Sequence, residues 1–568
     1  MKVDWSLNES DSLRSNAVVG GIPLVQRGGA GLLGVKVFDR GGAECSDALV
    51  VHSKQELLEG GVLRLRVTLR QSGDRLEDFR VRFVSSAQPS GAYGTTRLHL
   101  PLTAQGLMSH PTLTDLGTEQ IASCLLDLGM PGQGGKGFVG HYREPTLSSF
   151  DELTSRATLL IPLMQWFQPV SPVHISLFGS PELGWRFGCA GDVRGKMEFS
   201  AQTLVSLARN QEVHLEMFLA VSEERIESSW EAFHRIHCSD AAKSVEWTKA
   251  VRVHYYDFLS PGFPDGKRGM GYPQNAELFS EFKVGMATQH GYYPCMGDYL
   301  VPGRSSWDAM SNDHMGGFSM SIDELRRRIE LTRKQGARAN IYLHTSLCDR
   351  KALNFAEIEP AMRLDVNGRP FPYSWNGPDV PGQTVSMSMA NPLWREHLLK
   401  HAASIMDVLN PDALVIDETF AGLGYDYRNG KPEAMSTGMI EFLKKLREIV
   451  RAKGEDKAVF SSDCALGSFV LWCDGEGGDH AYDSLLGDER YRDPPIRYLA
   501  ALSNKPWLPC NWQQCRFWDA QIDLSRKLGT GIGVANGWIE YAGLKGLPAE
   551  MKKRMLQDIR SLETKTDS

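Results

Sequence analysis

Two rhythms of hydrophobic and polar residues divide the chain near residue 240. In the first, short segments alternate residue by residue between Gly, Ser and Asp turns. In VLRLRVTLR, Val62 to Arg70, the positions Leu63, Leu65, Val67 and Leu69 share one face, while Arg64, Arg66, Thr68 and Arg70 share the other. A period of two with one apolar side is the pattern of a half-buried antiparallel strand. FRVRF (79–83), RLHLPL (97–102), VHISLF (173–178) and VHLEMFLA (213–220) repeat it. So many strands with few helical signals predict a large antiparallel β-sandwich over residues 1–221. SEERIESSWEAFHRIHC, Ser222 to Cys238, then carries Ile226, Trp230, Phe233 and Ile236 at helical spacing behind an N-capping serine, which predicts a linker helix within 222–246.

From residue 247 the rhythm becomes apolar runs alternating with amphipathic helices, the mark of βα units and a parallel sheet. VRVHYYDFL (251–259) is the first predicted strand and YYPCMGDYL (292–300) holds the second. A helix opens on Ser321 and ends at Gly336, and ARANIYLH follows as the third strand. Asn391 to Asn410 is the next helix, and DALVIDETF supplies the fourth strand, Ala413 to Ile416. A helix over Met435–Arg451 leads to AVFSSD (458–463), SFVLWCD (468–474), PWLPCNW (506–512) and GIGVANGW (531–538). Eight strands predict a C-terminal (β/α)8 TIM barrel over 247–568, so the fold class is α/β plus all-β.

Barrel chemistry gathers where the strands end. The fourth strand is a near-continuous apolar run, as expected of a parallel strand buried on both faces, and it delivers Asp417 and Glu418 to its tip. The other predicted ends carry Tyr255 with Asp257, Asp298, His344 with Asp349, Asp463, Asp474 with Glu476, Asn511 with Trp512, and Asn536 with Trp538. The stretch 349–385 is long for a compact domain and contains Trp375 and Asn376, which fits a lid over the mouth.

Composition narrows the chemistry. With 42% hydrophobic and 23% charged residues the chain is of ordinary globular make-up, and a net charge of −7 gives no footprint for nucleic acid or an anionic bilayer. MKVDWSLNESD lacks the apolar core of a secretory signal and no later run reaches a membrane span, so the expectation is a soluble, cytoplasmic chain, or one whose export signal was removed. The ten cysteines include no CxxC pair; Cys510 and Cys515 lack a second ligand pair, and His234 with His237 lack a third ligand, so neither is read as a metal site. No dinucleotide fingerprint, phosphate loop or HExxH motif is present, and no cofactor is expected.

Carboxylates with tryptophans suit a sugar. One carboxylate stabilises or attacks the developing oxocarbenium carbon while a second, protonated, hands a proton to the leaving oxygen. Trp307, Trp375, Trp472, Trp512 and Trp538 offer flat apolar faces to the C–H side of a pyranose, although each suits core packing equally. Tyr255, Asp257, His344, Glu418, Glu476, Asn511 and Asn536 complete the candidate substrate contacts. The expected partner is therefore a carbohydrate, an oligosaccharide or glycoside.

A large β-sandwich, a linker helix and a barrel whose fourth strand ends in LVIDET resemble the retaining α-glycosidases of the α-galactosidase, α-glucosidase and endo-α-N-acetylgalactosaminidase type. The resemblance implies that Asp417 is the nucleophile. It leaves the acid/base residue open among Asp463 on the fifth predicted strand, Asp474 on the sixth, and Glu476. Two other readings stand beside it: a non-hydrolytic barrel lyase or isomerase with a metal among Asp257, His344 and Asp417, and a catalytically silent carbohydrate-binding protein.

Overall fold

The structure, a computed structural model, describes segments of strand between residues 2 and 222, Arg235 and Ile236, and most of 243–563. Within that last span, residues 259–268, 302, 310–317, 365–366, 372–383, 420–424, 429–432, 463–468, 478–504, 509–517 and 535–542 lie outside the description. Among the described residues, strands of the N-terminal part form a five-stranded and a seven-stranded antiparallel sheet. Val62–Arg70 shows how its alternation is used. Leu65, Val67 and Leu69 are buried, while Arg64, Arg66 and Arg70 pair with Glu56, Glu216 and Glu212 on the two neighbouring strands. The predicted linker helix lies outside the described residues apart from Arg235 and Ile236, which are helical; His234 and His237 also lie outside.

Among the described residues the C-terminal part is built on seven parallel strands: β1 (Val253–Phe258), β2 (Met286–His290), β3 (Arg338–His344), β4 (Ala413–Asp417), β5 (Ala458–Ser461), β6 (Gly475–Glu476) and β7 (Ile532–Val534). Their order is β6-β5-β4-β3-β2-β1-β7. Hydrogen bonds link the two ends of this series. Glu476 N–H donates to the Pro506 carbonyl at 3.0 Å and Leu508 N–H to the Glu476 carbonyl at 2.9 Å, while Gly531 N–H donates to the Trp507 carbonyl. The predicted seventh strand is thereby reduced, among the described residues, to a bridge at Trp507 between β6 and β7. The sheet also curves round on itself, because a methyl placed on Gly477, just past β6, would lie 3.5 Å from His254 on β1 and 3.6 Å from Met286 on β2. This is the geometry of a TIM-like barrel.

Helices on the outside are α1 (Tyr272–Ala276), α2 (Ile322–Lys334), α3 (Pro392–Val408), α4 (Met435–Arg451), α5 (Trp518–Leu528) and α6 (Ala549–Glu563). Local chemistry sets their starts. The Ser321 hydroxyl accepts from Glu324 N–H at 3.1 Å, and the Asn391 side chain accepts from Leu393 N–H at 3.0 Å with Pro392 at the first helical position. The turn before α3 approaches α4 so closely that any side chain at Gly438 would collide with the Met389 carbonyl. No described helix is long and apolar enough to cross a membrane.

Two predicted strands are displaced. The second strand is Met286–His290 rather than YYPCMGDYL, which retains only a bridge between Cys295 and Asp298. SFVLWCD is not the sixth strand: Phe469–Trp472 is a 3-10 turn, and the strand begins afterwards at Gly475. A buried apolar run of four residues satisfies either conformation, so periodicity does not separate them.

Candidate active site

Parallel strands pair in register, so one face of β1–β4 can be followed across the sheet. His254 bonds Thr288 at 2.9 Å on β2, the Tyr256 and His290 rings are 5.8 Å apart, His290 packs on Tyr342 of β3 at 3.8 Å, and Tyr342 bonds Asp417 of β4. This face lines the inside of the curved sheet. Its floor is apolar: Val415 and Phe460 cluster with Val251, Met286, Ala413, Ala458 and Leu508, and Trp247 packs under Phe460. Burial of each large apolar side chain there is worth roughly 1.5–3 kcal/mol.

The carboxylates at the two ends of β4 differ in what they meet. Asp412, just before the strand, is bonded by Arg333 at 3.0 Å and by Ala339 N–H at 2.9 Å, with Lys457 3.8 Å away; it ties strands and helices together at the N-terminal end. Asp417 stands at the C-terminal end, among a phenol, a backbone amide and an imidazole. Its Oδ2 accepts the Tyr342 hydroxyl and its Oδ1 accepts the Glu418 N–H at 2.9 Å. Burial, reinforced by the Asp417 charge, pushes the Tyr342 phenol well above its ordinary range, so this oxygen remains a donor.

Glu418 has a φ of 48°, the left-handed region that is costly for a side chain of this kind. The turn is held by Thr345, whose hydroxyl lies 2.8 Å from the Asp417 carbonyl and 2.9 Å from the Glu418 carbonyl. It brings the Glu418 carboxylate against Ser346, whose hydroxyl donates to Oε2 at 2.6 Å.

His344 completes the cluster. Its Nδ1 accepts from Ser346 N–H at 3.1 Å and Leu347 N–H at 3.3 Å, so the ring proton sits on Nε2. That nitrogen faces Glu418 Oε2 at 3.5 Å and Asp417 Oδ2 at 4.0 Å. Burial alone would lower the imidazole pKa, but the Glu418 and Asp417 carboxylates outweigh it and raise the pKa above its ordinary value. Tyr299 fixes the strand end by accepting His344 N–H at 2.8 Å and donating to its carbonyl at 3.1 Å. The result is a buried pair of carboxylates with an imidazole and a phenol positioned around them.

Of the residues selected from sequence, the structure brings together Asp417, Glu418 and His344. It places others elsewhere. Tyr255 and Asp257 face the helices: the Tyr255 ring lies 5.0 Å from Phe279 and its hydroxyl donates to Asp257 at 2.8 Å. Their neighbours His254 and Tyr256 face inward, and in a strand a slip of one residue exchanges the two faces. Trp307 anchors a hairpin by donating from its indole to the Tyr292 carbonyl at 2.7 Å, and Trp472 lies under Lys444 of α4, 4.2 Å from its ring.

Asp474 sits at the opposite end of the barrel from Asp417. It exchanges hydrogen bonds with Val459 near the start of β5 and accepts from Val245 N–H, and Arg451 lies 2.6 Å from it with Arg447 beyond at 3.4 Å. Glu476 accepts from the Ser461 hydroxyl and is register-matched to it. Ser461 pairs with Ile416, so this face is the one opposite Asp417. Asp463, Trp375, Asn376, Asn511, Trp512, Asn536 and Trp538 lie outside the described residues, as do Cys510 and Cys515. Cys295, Cys348 and Cys473, where described, are buried and not in disulfides. Leu347–Asp349 pairs with Thr384–Ser386 at the two ends of the stretch predicted as a lid, of which residues 372–383 lie outside the described residues.

Tyr342, His290, Tyr256 and Tyr299 were missed by sequence reasoning. Tyr342 had a usable signal, being two residues before His344 on the same strand and therefore on the same face.

The architecture is that of a TIM-like barrel of parallel strands preceded in the chain by antiparallel sheets. No protein-family model matches the chain, and no curated protein matches it in sequence. Among solved structures it is similar to the galactosidase domain of the α-galactosidase–sucrose kinase AgaSK, at 11% identity over 93% of this chain and 74% of that one, with a TM-score of 0.53. It is also similar to the α-galactosidase TtGalA from Thermus thermophilus in complex with stachyose, at 12% identity over 89% and 99% of the two chains and a TM-score of 0.52. A third is the GH36 α-galactosidase AgaA from Geobacillus stearothermophilus, at 9% identity over 93% and 75% and a TM-score of 0.53. These likenesses are of fold.

Proposed function

We propose that the protein is a glycoside hydrolase that cleaves an α-linked galactoside with retention through a glycosyl-enzyme on Asp417. The observation that carries this reading is a buried carboxylate at the tip of the fourth strand, oriented by Tyr342 and by the Glu418 amide, in a fold shared with α-galactosidases. In the first step one Asp417 oxygen bonds to the anomeric carbon as the glycosidic C–O bond breaks, and the leaving oxygen takes a proton from a second carboxyl group. Water then attacks the same carbon, gives its proton to that carboxylate, and releases Asp417. Asp463, which follows β5 in the sequence, is the proposed acid/base, since Glu476 lies on the face opposite Asp417. Asp474, held by two arginines at the far end, does not suit this role.

The substrate class follows the neighbours, whose bound molecules include stachyose, raffinose and p-nitrophenyl α-D-galactopyranoside. In this reading residues 1–221 form the β-sandwich, 222–246 the linker and 247–568 the catalytic barrel. The metal-dependent lyase or isomerase is not favoured, because Asp257 faces the helices and does not converge with His344 and Asp417. Asp417→Asn is expected to lower turnover of an aryl α-galactoside at least 10⁴-fold, roughly the loss seen for removal of an essential catalytic group, with sugar binding and folding retained. Near-wild-type turnover in the variant would end the proposal, and a wild type that binds sugar in calorimetry yet releases none would identify a silent binding protein.

A further inference from the structure

Behind the wall of the site lie three ligand-type side chains that the proposed hydrolysis does not use. His397 and His401 are one turn apart on the buried side of α3, and Asp298 comes from the segment after β2; all three are buried. One ligand atom from each lies within 4.8 Å of the others. Their hydrogen bonds aim them. His397 Nε2 is 2.7 Å from the Gly297 carbonyl and donates to it, which leaves Nδ1 as the acceptor nitrogen, the arrangement by which a backbone carbonyl orients a metal-bound imidazole. Asp298 Oδ2 accepts Leu353 N–H at 2.7 Å, so Oδ1 is the oxygen turned towards His401 Nε2, 4.0 Å away. The two imidazole rings are 4.6 Å apart.

We propose that Asp298, His397 and His401 bind one divalent first-row transition ion, Zn²⁺ by its donor set, which fastens the segment after β2 to α3. Two imidazoles and one carboxylate are zinc ligands, whereas Mg²⁺ and Ca²⁺ take oxygen donors. Ligands on bonds of about 2.0–2.1 Å around a tetrahedral ion stand about 3.3 Å apart, so side-chain rotations of about an ångström close the site. Cys295 Sγ, 3.8 Å from Asp298 Oδ2, is a further soft donor beside it. The ion would also stiffen the active-site wall, because Tyr299, next to Asp298, packs on His401 at 5.7 Å and brackets the backbone of His344.

The test uses the full chain, stripped with a chelator and dialysed into metal-free buffer. Expected are retention of one Zn²⁺ per chain on re-addition and a rise in Tm of roughly 2–4 °C at a hundredfold excess over Kd, with no response to Mg²⁺ or Ca²⁺. Asp298→Asn and His401→Gln should each lose the retained zinc. Wild type loaded with Co²⁺ should show the visible absorption of a low-symmetry nitrogen and oxygen site, a readout that stands if either variant fails to fold. Wild type that neither retains zinc nor responds to it overturns the proposal, as does zinc retained undiminished by both variants.

Discussion

At the residue scale the centre depends on hydrogen bonds that give Asp417 one orientation. Tyr342→Phe removes the phenol donor to Oδ2 while keeping the ring packed on His290. Losing a buried hydrogen bond to a charged group, about 1.5–3 kcal/mol, predicts a fall in kcat of roughly 10- to 150-fold with the fold unchanged; steady-state kinetics beside circular dichroism checks it. His344 gives a pH signature. Its folded pKa lies above the ordinary 6.5, so its pairing with Glu418 and Asp417 contributes fully below that value and is lost as pH rises through the folded pKa. Thermal unfolding of wild type and His344→Gln should therefore show its widest gap near pH 6, at or just below the ordinary histidine value, and a narrowing gap towards alkaline pH. A gap that widens with pH would contradict the pairing. Asp417 and His344 were legible in the sequence because each closes a run of buried apolar residues. Tyr256 was not, because the adjacent tyrosines in VHYYDF offer no polarity contrast by which to choose the inward face.

At the scale of elements, helix starts were the most legible feature. Ser321 and Asn391 cap helices that begin one residue later, because an orphan amide at a helix start is satisfied by a short local side chain and needs no tertiary information. Short strands were the least legible. β6 has two residues, and the apolar run before it turned out to be a 3-10 turn, which moved Asp474 from a strand's end to its approach. That displacement separates structure from catalysis. Asp474→Asn leaves Arg447 and Arg451 without their carboxylate, and because both guanidinium groups are partly exposed the expected loss is about 2–4 kcal/mol. Denaturant unfolding measures it, and kcat of the native protein should stay within about twofold of wild type, since a change of that size is under 0.5 kcal/mol in barrier. A collapse of kcat with unchanged stability would return Asp474 to the list of catalytic acids. The His397 and His401 pair was present in the sequence only as part of an amphipathic helix; its third partner, Asp298, is about a hundred residues away and is brought there by the fold.

For the whole molecule, alternating antiparallel strands followed by βα units were readable from hydrophobic period alone, and the parallel sheet follows that plan. Its two ends are linked by hydrogen bonds at Pro506–Leu508 and Gly531, within the two segments predicted as the seventh and eighth strands. The likeness to α-galactosidases spans about nine-tenths of the chain at 9–12% identity, so it is carried by architecture, and the chemistry has to be measured. Proton NMR of the first anomer released from p-nitrophenyl α-D-galactopyranoside reports activity, sugar and stereochemistry together. A nucleophilic Asp417 predicts α-galactose first, with the β-anomer growing in only by mutarotation; β-galactose as the first product, or no release of galactose, would contradict it.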